Sequence, residues 1–365
     1  MAPANGSMES GHHLRGAVVL PLTLADAAAL ENRLRDLPPS NLQQLILAGS
    51  TEGLLRRFLP GQRHAPIAMG VRHSNRLQAV VIALPCNQSS CCWKLQRLQI
   101  CSRSTTLPRS ELLEVLVRGA IGQAPQARSW FVRASLDDNV TLSALRGAGF
   151  QALLGQRIYR LAPAEPEDVM PQLGSGLTWS QLKPREGAAL RVLENAASPI
   201  QLRQLLDRSV DDLLEETRSG LVVLDEVRGQ LAAALRWVQP GAGAPLRIDV
   251  TVHPGYHVLY SQGLSQLLHR LLRQRPLALP GAGPIPERLQ LRCCDGNKDR
   301  EQWLLSLGAS AVHDELLLAR SIWRRQDRRP ASRLGAEGLA RVLEQLAPRR
   351  TPIPDGAWRC RRQDH

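Results

Sequence analysis

The sequence predicts an α/β protein built from two tandem domains, each with a central mixed sheet flanked by helices. The main observation is a pattern that occurs twice: an apolar strand, a polar turn and a short amphipathic helix that ends at a glycine. It runs from Val132 to Phe150 and again from Leu291 to Ala309. Glycine just beyond the last turn of a helix is a common stop signal. We interpret the pattern as one folding unit present in two copies.

Two further matches support the repeat. Leu22–Leu34 and Leu182–Glu194 share an Ala-Ala-Leu core in a helix that follows a strand. The segment that begins Arg76-Leu77-Gln78 corresponds to the one that begins Arg228-Gly229-Gln230. The offset between matching residues is nearly constant along the chain, so a duplication followed by loop insertions explains the order.

Hydrophobic periodicity predicts the order β-α-α-β-β-β-α-β-α-β for each copy. The elements predicted for the first half are Gly16–Thr23, Leu24–Leu37, Asn41–Leu59, Ile67–Val71, Leu77–Leu84, Leu95–Cys101, Ser110–Ile121, Trp130–Ala134, the repeated helix and Gln156–Leu161. Those of the second half are Leu177–Leu182, helices within Glu186–Arg218, Gly220–Asp225, Gln230–Val238, Leu246–Val252, Gly263–Arg273, Leu289–Cys293, Lys298–Leu307 and Glu315–Ile322.

A chain of 365 residues suits two domains of ordinary size. We expect a disordered leader at 1–15, domains at 16–162 and 177–325, a linker at 163–176 and a basic tail at 326–365. No apolar run reaches the roughly 18–20 residues that a membrane span needs, and the leader lacks the apolar centre of a secretion signal. These features predict a cytoplasmic protein without membrane contact.

The formal net charge is +13, and lysine occurs only at Lys94, Lys183 and Lys298. Arginine binds phosphates through two hydrogen bonds, so a nucleic acid or a phosphorylated ligand is a candidate partner. Arg324–His365 alone carries eleven arginines against five acidic residues. Much of the charge therefore belongs to the tail, and an arginine-rich coding bias explains the rest equally well.

Seven cysteines include the vicinal pairs Cys91-Cys92 and Cys293-Cys294. An odd count with adjacent pairs favours reduced thiols over a disulfide framework. No second ligand pair stands at zinc-site spacing, so we predict no metal.

The order of elements and two motifs resemble the GNAT acyltransferases, twice along the chain. Val250-Thr251-Val252-His253-Pro254, followed by a helix, resembles the fourth strand of that family and its Val-x-Pro exit. Asp295–Gly308 resembles the segment Asn-x-x-Ala-x-x-Leu-Tyr-x-x-x-Gly-Phe, with Asn297 and Gly308 in register, and Asp138–Phe150 matches the same segment in the first half. The resemblance covers about residues 16 to 325.

The resemblance implies that acetyl-CoA or another acyl-CoA binds where the fourth and fifth strands diverge. In the second half this assigns coenzyme binding to Val250 and Val252 on the strand, to Gln262 and Gly263 at the next helix, and to Asn297. The family's phosphate loop is rich in glycine, because small residues let a phosphate reach backbone N–H groups. The first-half counterpart, Cys101–Ser110, has no glycine, so we expect no tight phosphate cradle there. Because Arg97, Gln99 and Cys101 at the end of the corresponding strand include no plausible base, we expect the first half to be inactive.

Acyl transfer needs a base for the amine and an acid for the departing thiolate. The position of the family's acidic tyrosine is Leu145 in the first half and Leu304 in the second, and neither can donate a proton. Tyr256 is our candidate acid, with Tyr260 as the other loop tyrosine.

Strand alternation puts Asp249 and His253 on one face, so these two are the candidate bases. The competing interpretation is that both are ordinary solvent-facing residues of a half-buried strand.

Three hypotheses follow. The protein transfers an acyl group from acyl-CoA to an unidentified amine through its second half; it is an inactive tandem GNAT-like binding or scaffold protein; or it associates with nucleic acid or the ribosome through its basic tail. The absent tyrosine and glycines favour the second hypothesis, whereas the Val-x-Val-x-Pro strand and Asn297 favour the first.

Overall fold

A computed structural model describes residues 17–31, 43, 46, 66–101, 107–161, 170–239, 247–274 and 289–321. Within these residues the helices and strands follow the predicted order in both halves. The leader 1–15, the tail 326–365 and nearly all of the second predicted helix lie outside the described residues, so those predictions remain predictions.

The described strands are β1 Ala17–Pro21, β2 Ile67–His73, β3 Arg76–Pro85, β4 Cys92–Ile100, β5 Ser129–Ser135, β6 Gln151–Leu161, β7 Leu177–Gln181, β8 Thr217–Asp225, β9 Gln230–Val238, β10 Arg247–Val252, β11 Leu289–Cys294 and β12 Ser310–Ser321. The described helices are α1 Leu24–Glu31, α2 Arg109–Gly122, α3 Asn139–Gly147, α4 Gly187–Ala197, α5 Ile200–Leu206, α6 Val210–Glu216, α7 Gln262–Arg273 and α8 Lys298–Ser306. A 3₁₀ turn at Pro254–Leu259 joins β10 to α7.

The repeated motif folds alike in both halves. Asp138 and Asn297 cap the N-termini of α3 and α8, each accepting a hydrogen bond from the backbone N–H three residues on, at 3.0 and 3.1 Å. Gly149 and Gly308 follow the helices with φ of +86° and +73°, a conformation that glycine adopts without strain. The predicted glycine stop signals are therefore confirmed.

The strands form two sheets in the described residues. The larger is mixed and has the order β1-β2-β3-β4-β5-β12-β6-β11, and the smaller has the order β10-β9-β8-β7. Helices flank the sheets, so the predicted α/β class with mixed sheet is confirmed.

The larger sheet exchanges strands between the halves. In the sequence repeat, β5 corresponds to β11 and β6 corresponds to β12. The order β5-β12-β6-β11 is therefore symmetric: exchanging each strand for its counterpart gives the same order in reverse. β12 pairs with β5 of the first half, and β6 pairs with β11 of the second, both antiparallel. The two halves therefore share one sheet instead of closing one each, which the sequence did not indicate.

Helix α5 of the second half packs on the first half. Leu205 lies in an apolar cluster with Cys92, Phe131 and Leu317. The Ser129 hydroxyl donates to the Leu205 carbonyl at 2.7 Å. This packing brings β4 and β5 of the first half close to β10 of the second, and a cavity lies between them.

Two absences concern the described residues alone. None of their helices has the length and apolar character required to cross a membrane. Nor do they contain a group of three or more His, Cys, Asp or Glu side chains arranged to hold a metal ion.

Candidate active site

The cavity opens where β10 and β11 part. In the described residues these strands share no hydrogen-bond ladder, whereas their first-half counterparts pair in parallel between Cys92–Leu95 and Ser129–Val132 before they separate. The cavity measures about 270 Å³ and is lined by residues of both halves. That volume is just below the roughly 300–1,000 Å³ typical of small-molecule sites.

One edge of β10 has no paired strand among the described residues, and its peptide groups are directed toward this gap. The N–H of His253 donates to the Ala232 carbonyl on β9 at 2.9 Å, so this peptide faces β9. The Val250 carbonyl instead accepts from Nη1 of Arg300, at 2.6 Å, on the side away from β9. Because peptide direction alternates along a strand, the peptide groups of Val250 and Val252 face the gap. Both residues line the cavity.

Asp249 also lines the cavity, but its carboxylate is paired. Nη2 of the buried Arg236 lies 3.1 Å from Oδ2 of Asp249 and 2.5 Å from Oε1 of Glu194. Thr251 donates its hydroxyl hydrogen to the same Glu194 oxygen at 2.8 Å. Burial by itself raises the pKa of Asp249, but the charges of Arg236 and Arg247 outweigh burial and lower this pKa to about 2. Asp249 is therefore ionised and a weak base.

His253 and Tyr256 do not line the cavity. Nδ1 of His253 accepts a hydrogen bond from the N–H of Gly255 at 3.1 Å and stabilises the turn after β10. Tyr256 is buried, and its hydroxyl donates to Asp225 at 2.5 Å and accepts from Gln230 at 3.0 Å. The Tyr256 proton is thus directed away from the gap.

Tyr260, the other loop tyrosine, does line the cavity. Its ring lies 5.7 Å from that of Trp303, centroid to centroid. Burial raises the pKa of Tyr260, while the nearby Arg300 and the side chain of Asn297 oppose that shift. A protonated hydroxyl therefore lies at the wall of the gap, next to Asn297, which both caps α8 and lines the cavity.

Gln262 and Gly263 begin α7 outside the cavity lining. A Cβ atom on Gly263 would lie 2.3 Å from the carbonyl oxygen of Gln172. The N–H of Gln172 donates to Oε1 of Gln266 at 2.9 Å, so this stretch of the predicted linker lies against the first turn of α7. The absence of a side chain at Gly263 is therefore explained by this close backbone approach.

Four cations meet in the cavity from four different strands: Lys94 of β4, Arg133 of β5, Arg247 of β10 and Arg292 of β11. Burial, with the neighbouring Arg133 and Arg247, lowers the pKa of Lys94 to about 7. Burial and the adjacent Arg292 likewise lower the pKa of Arg133 to about 9. The cavity thus gathers positive charges from both halves, and these charges lower one another's pKa.

Sequence reasoning identified Asp249, Val250, Val252 and Asn297, and all four line the same cavity. It missed the cations, because two come from the half that we expected to be inactive. A usable signal was present: Arg133 interrupts the otherwise apolar strand from Trp130 to Ala134.

Comparison with known proteins gives the fold and no closer relationship. No family model and no curated protein matches the sequence. A solved tandem GNAT protein from the clavulanic acid biosynthesis pathway is 14% identical, with 85% of this chain and 100% of that chain covered and a TM-score of 0.50. A GCN5-related N-acetyltransferase from Sphaerobacter thermophilus is 13% identical, with 84% and 96% covered and a TM-score of 0.51. The chain therefore has the tandem GNAT fold.

Proposed function

We propose that the protein is an acyl-CoA-dependent N-acyltransferase and that its second half carries the reaction. The observation that carries the proposal is the free edge of β10, whose outward peptide groups border the cavity beside Tyr260. An extended pantetheine chain would pair with Val252 there, and α7, which begins at Gln262, would meet the phosphates. Acetyl-CoA is the simplest donor.

The residues suggest how the reaction proceeds. The nitrogen of the acceptor amine attacks the thioester carbon, the carbon–sulfur bond breaks, and Tyr260 donates its proton to the departing thiolate. The amine loses a proton to water held at Asp249, whose low pKa suits an orienting role better than direct proton abstraction. We propose that His253 and Tyr256 have a structural role in the turn after β10 and not a catalytic one.

The test is coenzyme binding by calorimetry, with Val252→Pro as the diagnostic variant. Proline removes a peptide N–H that faces the gap and leaves the hydrogen bonds to β9 intact. Ile100→Pro is the matched control at the corresponding position of β4. We expect V252P to weaken acetyl-CoA binding at least tenfold and I100P to leave it unchanged. Equal effects of the two variants, or no binding by the wild type at millimolar coenzyme, would refute the proposal.

A second candidate is a protein that binds acyl-CoA without transferring its acyl group. Two contacts favour it: Arg300 already occupies the Val250 carbonyl, and Arg236 already neutralises Asp249. Release of free thiol from acetyl-CoA, measured across a panel of amines, separates the candidates. Acetyl-CoA binding without amine-dependent release of thiol would show that the protein binds the coenzyme without transferring its acyl group.

A further inference from the structure

The cavity wall carries more positive charge than the protein neutralises. Six cationic side chains and three carboxylates line it. The carboxylates already have partners: Glu194 and Asp249 share Arg236, which is outside the lining, and Glu216 lies 3.6 Å from Arg208. The cationic lining residues are Lys94, Arg133, Arg208, Arg247, Arg292 and Arg300.

In the part of the chain that the structure describes, four of these cations have no acidic partner, and one of the four, Arg300, donates instead to the Val250 carbonyl. Among the described residues, no carboxylate oxygen lies within 4.0 Å of the side-chain nitrogens of Lys94, Arg133 or Arg247. Within the described ranges, Arg133 donates only to the neutral amide oxygen of Gln156, at 3.3 Å. Partly buried charges without partners cost folding free energy, so a fold that assembles three of them beside a cavity gains from a ligand that neutralises them.

We propose that Lys94, Arg133 and Arg247 form an anion site that holds a carboxylate or phosphate group of the acceptor substrate. The inference rests on the proposed acyltransfer function and specifies its acceptor as an amine that also carries an anionic group. Arginine suits this role because its planar guanidinium group matches both anions with two hydrogen bonds.

The position of the site favours the acceptor over the coenzyme. Arg247 is the first residue of β10 and Val252 the last, which are about 17 Å apart at the rise of an extended strand. The expected coenzyme phosphates lie beyond Val252, at α7. The anion site is at the other end of the strand, where a substrate would reach the thioester from the opposite side. Since Lys94 and Arg133 belong to the first half, both halves would hold the acceptor.

The first experiment measures binding of inorganic phosphate and of succinate to the full chain by calorimetry, without coenzyme. Arg247→Gln and Lys94→Met are expected to weaken binding of at least one probe tenfold or more. Arg191→Gln, which removes an exposed cation of α4, is the control and should leave it unchanged. Wild-type protein that binds neither probe, or cavity variants that bind like R191Q, would overturn the inference.

The second experiment identifies the source of the anion. Acetyl-CoA is compared with S-acetylpantetheine, which has the thioester but no phosphate groups. If R247Q weakens only acetyl-CoA binding, the site holds coenzyme phosphates and the acceptor assignment is wrong. If R247Q leaves both affinities unchanged, the acceptor assignment stands.

The third experiment compares amines that carry a carboxylate with the same amines in amidated form, as acceptors. We expect at least a tenfold preference in kcat/KM for the charged amines, lost in R247Q and kept in R191Q. Transfer without such preference would sink the inference and leave the proposed function intact. Probe binding without any coenzyme binding would refute the proposed function, and the acceptor assignment with it, while a bare anion site remained.

Discussion

Corresponding positions of the two halves carry opposite chemistry on the same scaffold. On neighbouring strands of the first half, Ile82 is opposite Arg97, and in the second half Arg236 is opposite Asp249. Ile82 and Arg236 are both fully buried. One copy therefore keeps an apolar residue at this core position, whereas the other buries an arginine that pairs with two carboxylates beside a cavity. The comparison teaches that the two copies kept the same strand pairing, whereas charged side chains replaced apolar ones near the cavity that both halves line.

The largest expected effect comes from replacing Arg236 by isoleucine, the residue that the first half has at the corresponding position, Ile82. Arg236→Ile leaves Glu194 and Asp249 without their shared cation, and breaking a buried ion pair by removing one partner costs about 3–5 kcal/mol. We expect a loss of about 3 kcal/mol in the free energy of unfolding by urea. Adding Glu194→Gln and Asp249→Asn should restore part of it. A change below about 1 kcal/mol would mean that the pair does not support the second half.

The two loop tyrosines provide the next test. If Tyr260 is the acid, Tyr260→Phe should lower turnover by about 100-fold, a usual size for the loss of one proton donor. Tyr256→Phe should lower Tm instead, because the Tyr256 hydroxyl bonds to Asp225, and should change turnover only a few-fold. The reverse pattern would return the catalytic role to Tyr256.

Gly263 tests whether the start of α7 differs from that of α2. In Gly263→Ala the new Cβ meets the Gln172 carbonyl, and overpacking of this kind costs about 1–3 kcal/mol. Glu111→Ala, at an exposed position in the first turn of α2, should change stability by less than about 0.5 kcal/mol. Chemical unfolding of both variants measures the difference in stability. Equal losses of unfolding free energy would contradict the prediction that the two helix starts differ.

The smallest effect concerns pH and Lys94. Arg133, Arg247, Arg292 and the Cys86 thiol surround this amine, and the pKa of Lys94 is about 7 in the folded chain against 10.5 when unfolded. Lys94 is charged below pH 7, so phosphate affinity should fall several-fold as pH rises from 6 to 8, measured by calorimetry. Between the two pKa values the unfolded state binds more protons, so stability should rise with pH there.

Lys94→Met is the control for this titration. It should flatten the decline in phosphate affinity that Lys94 causes and raise Tm by a few degrees at neutral pH, because a buried charge is removed. An unchanged pH profile in K94M would assign the titration to another group.

Local signals predicted much of this structure. The apolar periodicity of β9 located that strand at Gln230–Val238, and the glycines after α3 and α8 marked both helix ends. The strand exchange was not predictable, because β6 and β12 are copies with similar apolar patterns. An apolar pattern does not show whether a strand pairs with a strand of its own half or with one of the other half. The roles of Tyr256 and Tyr260 depend on the 3₁₀ turn at Pro254–Leu259, which no periodicity reveals.

The central position of β12 has a consequence for biosynthesis. β12 lies between β5 and β6, yet it is the last described strand to leave the ribosome. Until Ser310–Ser321 emerges from the ribosome, one edge of β5 has no strand to pair with. The part of the sheet that is made first therefore stays incomplete during synthesis. A nascent chain stalled after β11 should therefore recruit chaperones, and a separate peptide that supplies the missing strand should rescue it.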